Sequence, residues 1–462
     1  MPDAGTPRAQ LARDLKIRHA AAIVVGIIIG SGIFLVPKEM MQAVGSAKIV
    51  FLAWLVGGVL SFFGAVTYAE LGAMKPGAGG EYVYIRDAYG PLLGFLYAWA
   101  TFTISKPASI ATVSSGFVRV LGNFPALYFL SFELLRVPLF SGRLVITWGH
   151  FVAVAVIVLL TALNWIGVRK AGEFQVVFTV LKVAMIVGIA AVCFTFAGGH
   201  WDNFSSHYPQ AEGGIAGFMI ALIAALWAYD GWNNLNMVAA EIRQPERTIP
   251  IALIAGISAV AFLYVLMYAA VQFVMPAEAV AAAERPASLA TQMVAGSFGA
   301  GLVTAGMALS MFVTMNGQIL AGARIPFAAA QDGYFFPRLA DVHPRFHTPT
   351  MALLFQSGLT ILLILVGGSF QQLFSLAIFA EWIFYMIAAS SIFVFRHCEP
   401  ETPRSYRAWG YPVVPGLFIV ASAILLYYSF TENLRNSIWG LLVILAGVPV
   451  FYFFAGKQRN EG

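Results

Sequence analysis

Charged side chains are scarce in this chain of 462 residues. Lys and Arg number 27 and Asp and Glu number 22, together 11% of the chain, whereas soluble domains average roughly 25%. Apolar residues make up 60%, and a helix that crosses a lipid core of about 30 Å needs roughly 20 mostly apolar residues. The scarcity of charge excludes a soluble enzyme and a disordered chain, and it predicts a membrane protein.

Cysteine is also scarce. Cys193 and Cys398 are the two that the sequence contains, and they are predicted near opposite faces of the membrane, too far apart to form a disulfide within one chain. A scaffold held together by disulfide bonds is therefore excluded.

The sequence lacks the motifs of several other protein classes. It has no His-Glu-x-x-His zinc motif and no Gly-x-Ser-x-Gly nucleophile elbow, and its seven histidines lie in loops or near the ends of apolar runs. No selectivity-filter repeat is visible, which argues against an ion channel. The net charge of +5 is not arranged as a basic patch with stacking aromatics, which argues against nucleic acid. We therefore expect no enzyme, no metal and no cofactor.

The sequence does contain a series of long apolar runs between turn and charge clusters. They predict an all-α polytopic membrane protein with about 12 transmembrane helices, and the first run is too long for a signal peptide. Segments predicted to be cytoplasmic hold 18 Lys or Arg and external segments hold six, with three inside crossings, so both termini are predicted in the cytoplasm. The predicted crossings are 17–44, 47–73, 90–121, 145–166, 173–197, 213–241, 249–275, 288–322, 349–368, 372–395, 412–430 and 436–456.

The first and sixth predicted crossings are interrupted near their middle. Gly30-Ser31-Gly32 interrupts the first, and the run from Tyr229 to Asn234 interrupts the sixth. Glycines in one helix could serve close helix packing, but two matched interruptions five crossings apart indicate an inverted repeat with broken helices. The predicted division is a tail 1–16, a first repeat 17–197, a second repeat 213–395, two peripheral helices 396–456 and a tail 457–462.

A helix broken inside the bilayer leaves N–H and C=O groups without partners unless they face a cavity or a ligand. After the first break, the N–H groups near Ser31 and Gly32 form a positive helix end, which favours an anion. Before the second break, the carbonyls of Trp227–Tyr229 form a negative end, which favours a cation, and Asp230 adds negative charge. The carboxylate and ammonium groups of one amino acid would satisfy both ends.

At these residues the chain resembles the L-type amino acid transporter branch of the amino acid, polyamine and organocation (APC) transporter superfamily. The resemblance covers nearly the whole chain, and its most specific parts are the first-helix motif Gly26–Phe34 and the sixth-helix motif Trp227–Asn236. It implies the five-plus-five inverted-repeat (LeuT-like) transporter fold with broken helices 1 and 6. Further matching segments are Tyr68–Gly72, Pro76–Tyr82, Glu241–Pro250, Asn316-Gly317, Arg324–Pro349 and Arg407–Pro412.

The resemblance also implies a substrate site. The expected carboxylate contacts are Gly30, Ser31 and Gly32, and the expected ammonium contacts are Ile28, Trp227 and Ala228. Trp227 matches the aromatic position that closes over substrate in the family; its depth of roughly 21 Å along the helix argues against a tryptophan of the interfacial belt. The expected gate and side-chain pocket comprises Trp227, Tyr229, Asp230 and Lys106.

Lys182 lies about ten residues into the fifth predicted helix, where a charge is costly and indicates function. It matches a family lysine whose ammonium stands where other carriers hold Na⁺, so the resemblance implies sodium-independent transport. Two roles remain open for Lys182: it could couple protons to transport, or it could be a fixed brace.

Three more charged residues are predicted inside the bundle. Lys106 falls where many members of this branch carry arginine, and a lysine lacks the planar fork of five donors. Glu381, for which the family suggests no role, could pair with a lysine, line a water-filled cavity or titrate. Asp230 could cap the broken helix or attract the cationic side chain of an arginine or lysine substrate; neutral substrates remain the default.

These inferences predict a secondary active transporter of the plasma (inner) membrane that exchanges neutral amino acids by alternating access. Proton-coupled uptake and cationic amino acid transport read by Asp230 are the alternatives. The expected partners are an amino acid substrate and the lipid bilayer. Animal members of this branch that pair with a glycoprotein use a cysteine in the external loop after helix three, and residues 122–144 contain none, so we expect no disulfide-linked ancillary subunit and a monomer or weak homo-oligomer.

Overall fold

The computed structural model describes residues 10–139, 142–366, 370–432 and 434–461, and residues 1–9 of the predicted N-terminal tail lie outside this range. Eighteen α-helices dominate the described chain. They are α1 Ile17–Ile28, α2 Gly32–Val44, α3 Ala47–Met74, α4 Glu81–Tyr89, α5 Pro91–Ala100, α6 Lys106–Leu121, α7 Trp148–Trp165, α8 Val168–Phe194, α9 Gly214–Tyr229, α10 Asn234–Met237, α11 Pro245–Val274, α12 Ala277–Ala282, α13 Pro286–Gly322, α14 Arg324–Gln331, α15 Thr350–Val366, α16 Phe370–Cys398, α17 Val413–Glu432 and α18 Leu434–Glu461.

Within the described residues, nine helical segments are long and apolar enough to cross a membrane. Each remaining predicted crossing also contains helix: α5 and α6 are joined by a π-helical turn at Thr101–Ser105, and α15 and α16 follow later in the chain. The predicted polytopic helical membrane protein is confirmed at this level. Helices α8 and α11 begin several residues before the apolar runs do, and α18 continues to Glu461, into the predicted tail.

The two interrupted helices meet at their breaks. Helix α1 ends at Ile28 and α2 begins at Gly32, while α9 ends at Tyr229 and α10 begins at Asn234. Gly231 has φ +110°, a conformation that side chains rarely adopt, and a Cβ there would lie 2.7 Å from Ile27. Glycine at the second break therefore permits both the turn and the close approach of α1.

Neighbouring helices surround the breaks. Helix α1 packs against α8, α11 and α13, and α2 packs against α9. Helix α16 packs against α4, α6, α17 and α18. One antiparallel hairpin, β1 Glu133–Leu139 and β2 Gly142–Thr147, lies in the loop between α6 and α7.

Polar contacts join three parts of the chain: the segment before α1, the segment after α10 and the start of α14. Arg324 and Glu241 form a two-pronged ion pair with N–O distances of 2.6 and 3.0 Å, and both side chains are fully buried. Leu15 donates its N–H to the Glu241 carbonyl at 2.9 Å and accepts from Arg243 N–H at 2.8 Å. The segment before α1 is thereby joined to the chain that follows the broken helix α9–α10.

Candidate functional site between the broken helices

The carbonyls expected to bind an ammonium group converge on one hydroxyl. Tyr264, fully buried on α11, places its hydroxyl oxygen 3.0 Å from the Ile28 carbonyl and 2.8 Å from the Ala228 carbonyl. A tyrosine hydroxyl has one proton, so it can donate to one of these carbonyls at a time. The two half-helix ends are therefore within reach of one small cationic group.

The start of α2 lies directly against the end of α9. A Cβ at Gly32 would lie 2.9 Å from Ala228 Cβ and 3.7 Å from the Trp227 ring. Gly30 and Ser31 are only partly buried and immediately precede α2. The predicted carboxylate contacts therefore lie at a helix N-terminus beside the predicted ammonium contacts.

Lys182 is fully buried and reaches the end of α1. Its ammonium donates to the carbonyls of Gly26 at 2.8 Å and Ile29 at 2.6 Å. On α13, Ser310 donates to the Ile29 carbonyl at 2.7 Å and Thr314 lies 3.2 Å from the Gly26 carbonyl. Carbonyls that a metal ion could otherwise coordinate thus receive an ammonium and two hydroxyl donors.

The residues predicted to form the gate and side-chain pocket lie in different surroundings in the structure. Tyr229 is fully buried, and its hydroxyl donates to the Trp54 carbonyl at 3.2 Å, so it points into the helix packing. Trp227 is partly exposed and borders an apolar cavity with Trp382. Asp230 is also partly exposed and accepts a hydrogen bond from the Tyr385 hydroxyl at 2.8 Å.

Lys106 and Glu381 come together across the bundle. The Lys106 ammonium lies 3.3 Å from Glu381 Oε1, and their side chains are 4% and 13% exposed. Of the three arrangements considered for Glu381, pairing with a lysine is present in this structure. Lys106 also interacts electrostatically with Asp230, so the pair lies beside the second break.

Sequence reasoning missed several polar residues at this site: Glu81, Tyr264, Ser310, Thr314 and Tyr385. Ser310 and Thr314 are four residues apart on α13, a spacing that places both on one helix face, and this could have indicated their shared contact. A tyrosine in an apolar run is ordinary, so nothing in the sequence singled out Tyr264. Glu81 lies in a recognised motif, but nothing in the sequence indicated its hydrogen-bond partners.

Two apolar helices break where their ends converge on a buried polar site. This arrangement is typical of a multi-pass membrane transporter. Residues 15–454 match the amino acid permease family, and the chain belongs to that family. This confirms the predicted class, a transporter and not an enzyme.

Named relatives agree with this assignment. The serine/threonine exchanger SteT of Bacillus subtilis is 31% identical over 97% of this chain and 98% of its own length. The human cystine/glutamate transporter is 30% identical over 97% of this chain and 87% of its own. The human b(0,+)-type amino acid transporter 1 is 30% identical over 96% of this chain and 88% of its own. The predicted resemblance to L-type amino acid transporters is confirmed.

Proposed function

We propose that this protein exchanges neutral amino acids across the plasma (inner) membrane by alternating access and does not require sodium. The observation that carries the proposal is the convergence of the α1 and α9 carbonyl ends beside the start of α2. An amino acid bound there would place its ammonium at the carbonyls of Ile28 and Ala228 and its carboxylate at the N–H groups of Gly30 to Gly32. We infer a twelve-helix bundle built as a five-plus-five repeat with cytoplasmic termini, because inverted repeats of this kind support alternating access.

Sodium independence rests on Lys182. Its side-chain nitrogen already donates to the carbonyls of Gly26 and Ile29, so these carbonyls have a hydrogen-bond donor in the place where a metal ion would otherwise bind. We propose the brace role for Lys182, with the side chain remaining bonded to α1.

Neutral side chains are favoured by the surroundings of Asp230. Its carboxylate accepts from Tyr385 and interacts with the Lys106 ammonium, so it already has a donor and a nearby cation. A cationic amino acid whose side chain contacts Asp230 is the second candidate substrate. The expected assembly is a monomer or weak homo-oligomer without a disulfide-linked subunit.

The test is exchange in vesicles that contain the purified protein. Without a proton gradient and in sodium-free buffer, vesicles loaded with unlabelled L-serine should take up labelled L-serine in a saturable way, and unloaded vesicles should take up several-fold less. Labelled arginine and glutamate in parallel vesicles measure the preference for neutral side chains. The absence of exchange for every amino acid, or a strict requirement for sodium, would contradict the proposal.

A further inference from the structure

A group of buried and partly buried charges lies beside the proposed substrate site, and its charges do not balance. It contains the carboxylates of Glu81, Asp230 and Glu381 and one ammonium, that of Lys106. Glu81 is fully buried and accepts hydrogen bonds from Asn233 and, at 3.2 Å, from Tyr97. If all four groups were ionised, the cluster would carry a net charge of −2.

Neutral residues around the cluster cannot supply the missing positive charge. Tyr97, Tyr385 and Asn233 donate hydrogen bonds, which reduce the cost of a buried carboxylate without cancelling its charge. Glu70, on the neighbouring helix α3, already pairs with Arg396 and Arg404.

Among the described residues, the remaining elements packed around α16 do not supply a cation either. Arg86 of α4 pairs with Asp87 and Asp332, and Lys75 after α3 pairs with Asp87 and Glu399. Lys182 is bonded to α1, and Tyr68 of α3 donates to a backbone carbonyl of α16. The helices α17 and α18 have charged residues only at or near their ends.

Lys106 itself has unused hydrogen-bonding capacity. An ammonium group has three donors, and among the described residues its one hydrogen bond is to Glu381 Oε1. The Lys106 side chain is only 4% exposed, whereas Glu381, midway along α16, retains 13% exposure. Glu381 is therefore the more accessible member of a pair whose other member is buried.

Excess buried charge of one sign is costly in a membrane protein unless a cation neutralises it. A neutral amino acid brings no net charge to the site, so its transport leaves this requirement unmet. A proton on one carboxylate reduces the net charge of the cluster from −2 to −1 without displacing any side chain.

We propose that Glu381, paired with Lys106, binds a proton that accompanies a neutral amino acid during net uptake. The carboxylate of Glu381 takes the proton from water on the external side, forming an O–H bond, and this bond breaks when the proton passes to water on the cytoplasmic side. No electrons are transferred, and Lys106 remains an ammonium throughout. In one-for-one exchange the proton stays bound to Glu381, so the exchange rate is independent of a proton gradient. This inference rests on the proposed amino acid transport.

The test compares net uptake of labelled L-serine into unloaded vesicles with and without a proton gradient, acid outside. We expect the gradient to increase net uptake by the wild-type protein several-fold and to have no effect on Glu381→Gln. Glu278→Gln, which changes an exposed carboxylate on α12, is the matched control and should respond like the wild type. A gradient response that persists in Glu381→Gln, or is absent from the wild type, would overturn the inference.

A binding measurement covers the case in which Glu381→Gln no longer transports. Stabilisation of the detergent-purified protein by L-serine gives an apparent Kd, which should weaken by up to about tenfold per pH unit as pH rises if binding requires the proton. Glu381→Gln should bind with an affinity that does not change with pH. If the wild type exchanges serine but its affinity is independent of pH, the proton site is wrong while the proposed transport stands; if no exchange occurs at all, the proposed function has failed.

Discussion

Lys182 is the residue on which the end of α1 most directly depends. Its ammonium donates to two buried carbonyls, and hydrogen bonds to a charged group contribute roughly 1.5 to 3 kcal/mol each. We expect Lys182→Ala to lose most exchange activity and to unfold at a lower temperature, because both carbonyls lose a donor. Exchange assays and thermal unfolding measure the two effects. Transport of normal rate and normal ion dependence in Lys182→Ala would contradict both the brace role and the coupling role.

A substitution at Asp230 tests whether the protein transports neutral or cationic amino acids. If its carboxylate serves the structure through Tyr385, Asp230→Asn should reduce transport of alanine and arginine by the same factor. Competition of each amino acid against labelled L-serine measures that factor. Selective loss of arginine would instead assign Asp230 to reading a basic side chain.

At the scale of the helices, the contact between α2 and α9 depends on the small size of Gly32. A Cβ there would lie 2.9 Å from Ala228 Cβ, closer than real Cβ atoms pack, so the two half-helices would have to separate. We expect Gly32→Ala to reduce exchange at least tenfold while the protein remains folded. Gly301→Ala is the control, because a Cβ at that position on α13 meets nothing within 4 Å. Equal activity in the two variants would show that the close approach is not needed.

The positions of the helix breaks could be predicted from sequence, and several helix ends could not. Glycine and polar residues in an apolar run indicate a break on their own, and the chain is interrupted at 29–31 and 230–233. The start of α11 is different. Pro245 occupies the first helical position, so the helix begins before its apolar part. A hydropathy profile misses residues 245–248 because they are not an apolar run. The position of the Tyr264 hydroxyl between the Ile28 and Ala228 carbonyls depends on how α11 packs, and no local sequence pattern predicts that packing.

At the scale of the whole molecule, the fully buried Arg324–Glu241 pair joins the start of α14 to the chain that follows α10. Removing one partner of a buried ion pair typically costs about 3 to 5 kcal/mol, because the other charge remains buried. Arg324→Met should therefore lower the unfolding temperature substantially, and the double variant Arg324→Met with Glu241→Met should recover part of the loss. A single variant with the unfolding temperature of the wild type would contradict the contribution of this ion pair to stability.

A thermal-shift comparison of three ligands tests whether one zwitterion is held between the two half-helix ends. The ligands are the amino acid that gives the largest shift among the twenty, the amine that lacks its carboxylate, and the acid that lacks its amino group. Because a ligand that binds only the folded state raises stability by RT ln(1 + [L]/Kd), the amino acid should stabilise the protein and neither analogue should do so at the same concentration. Equal stabilisation by either analogue would show that one of the two helix ends does not take part in binding.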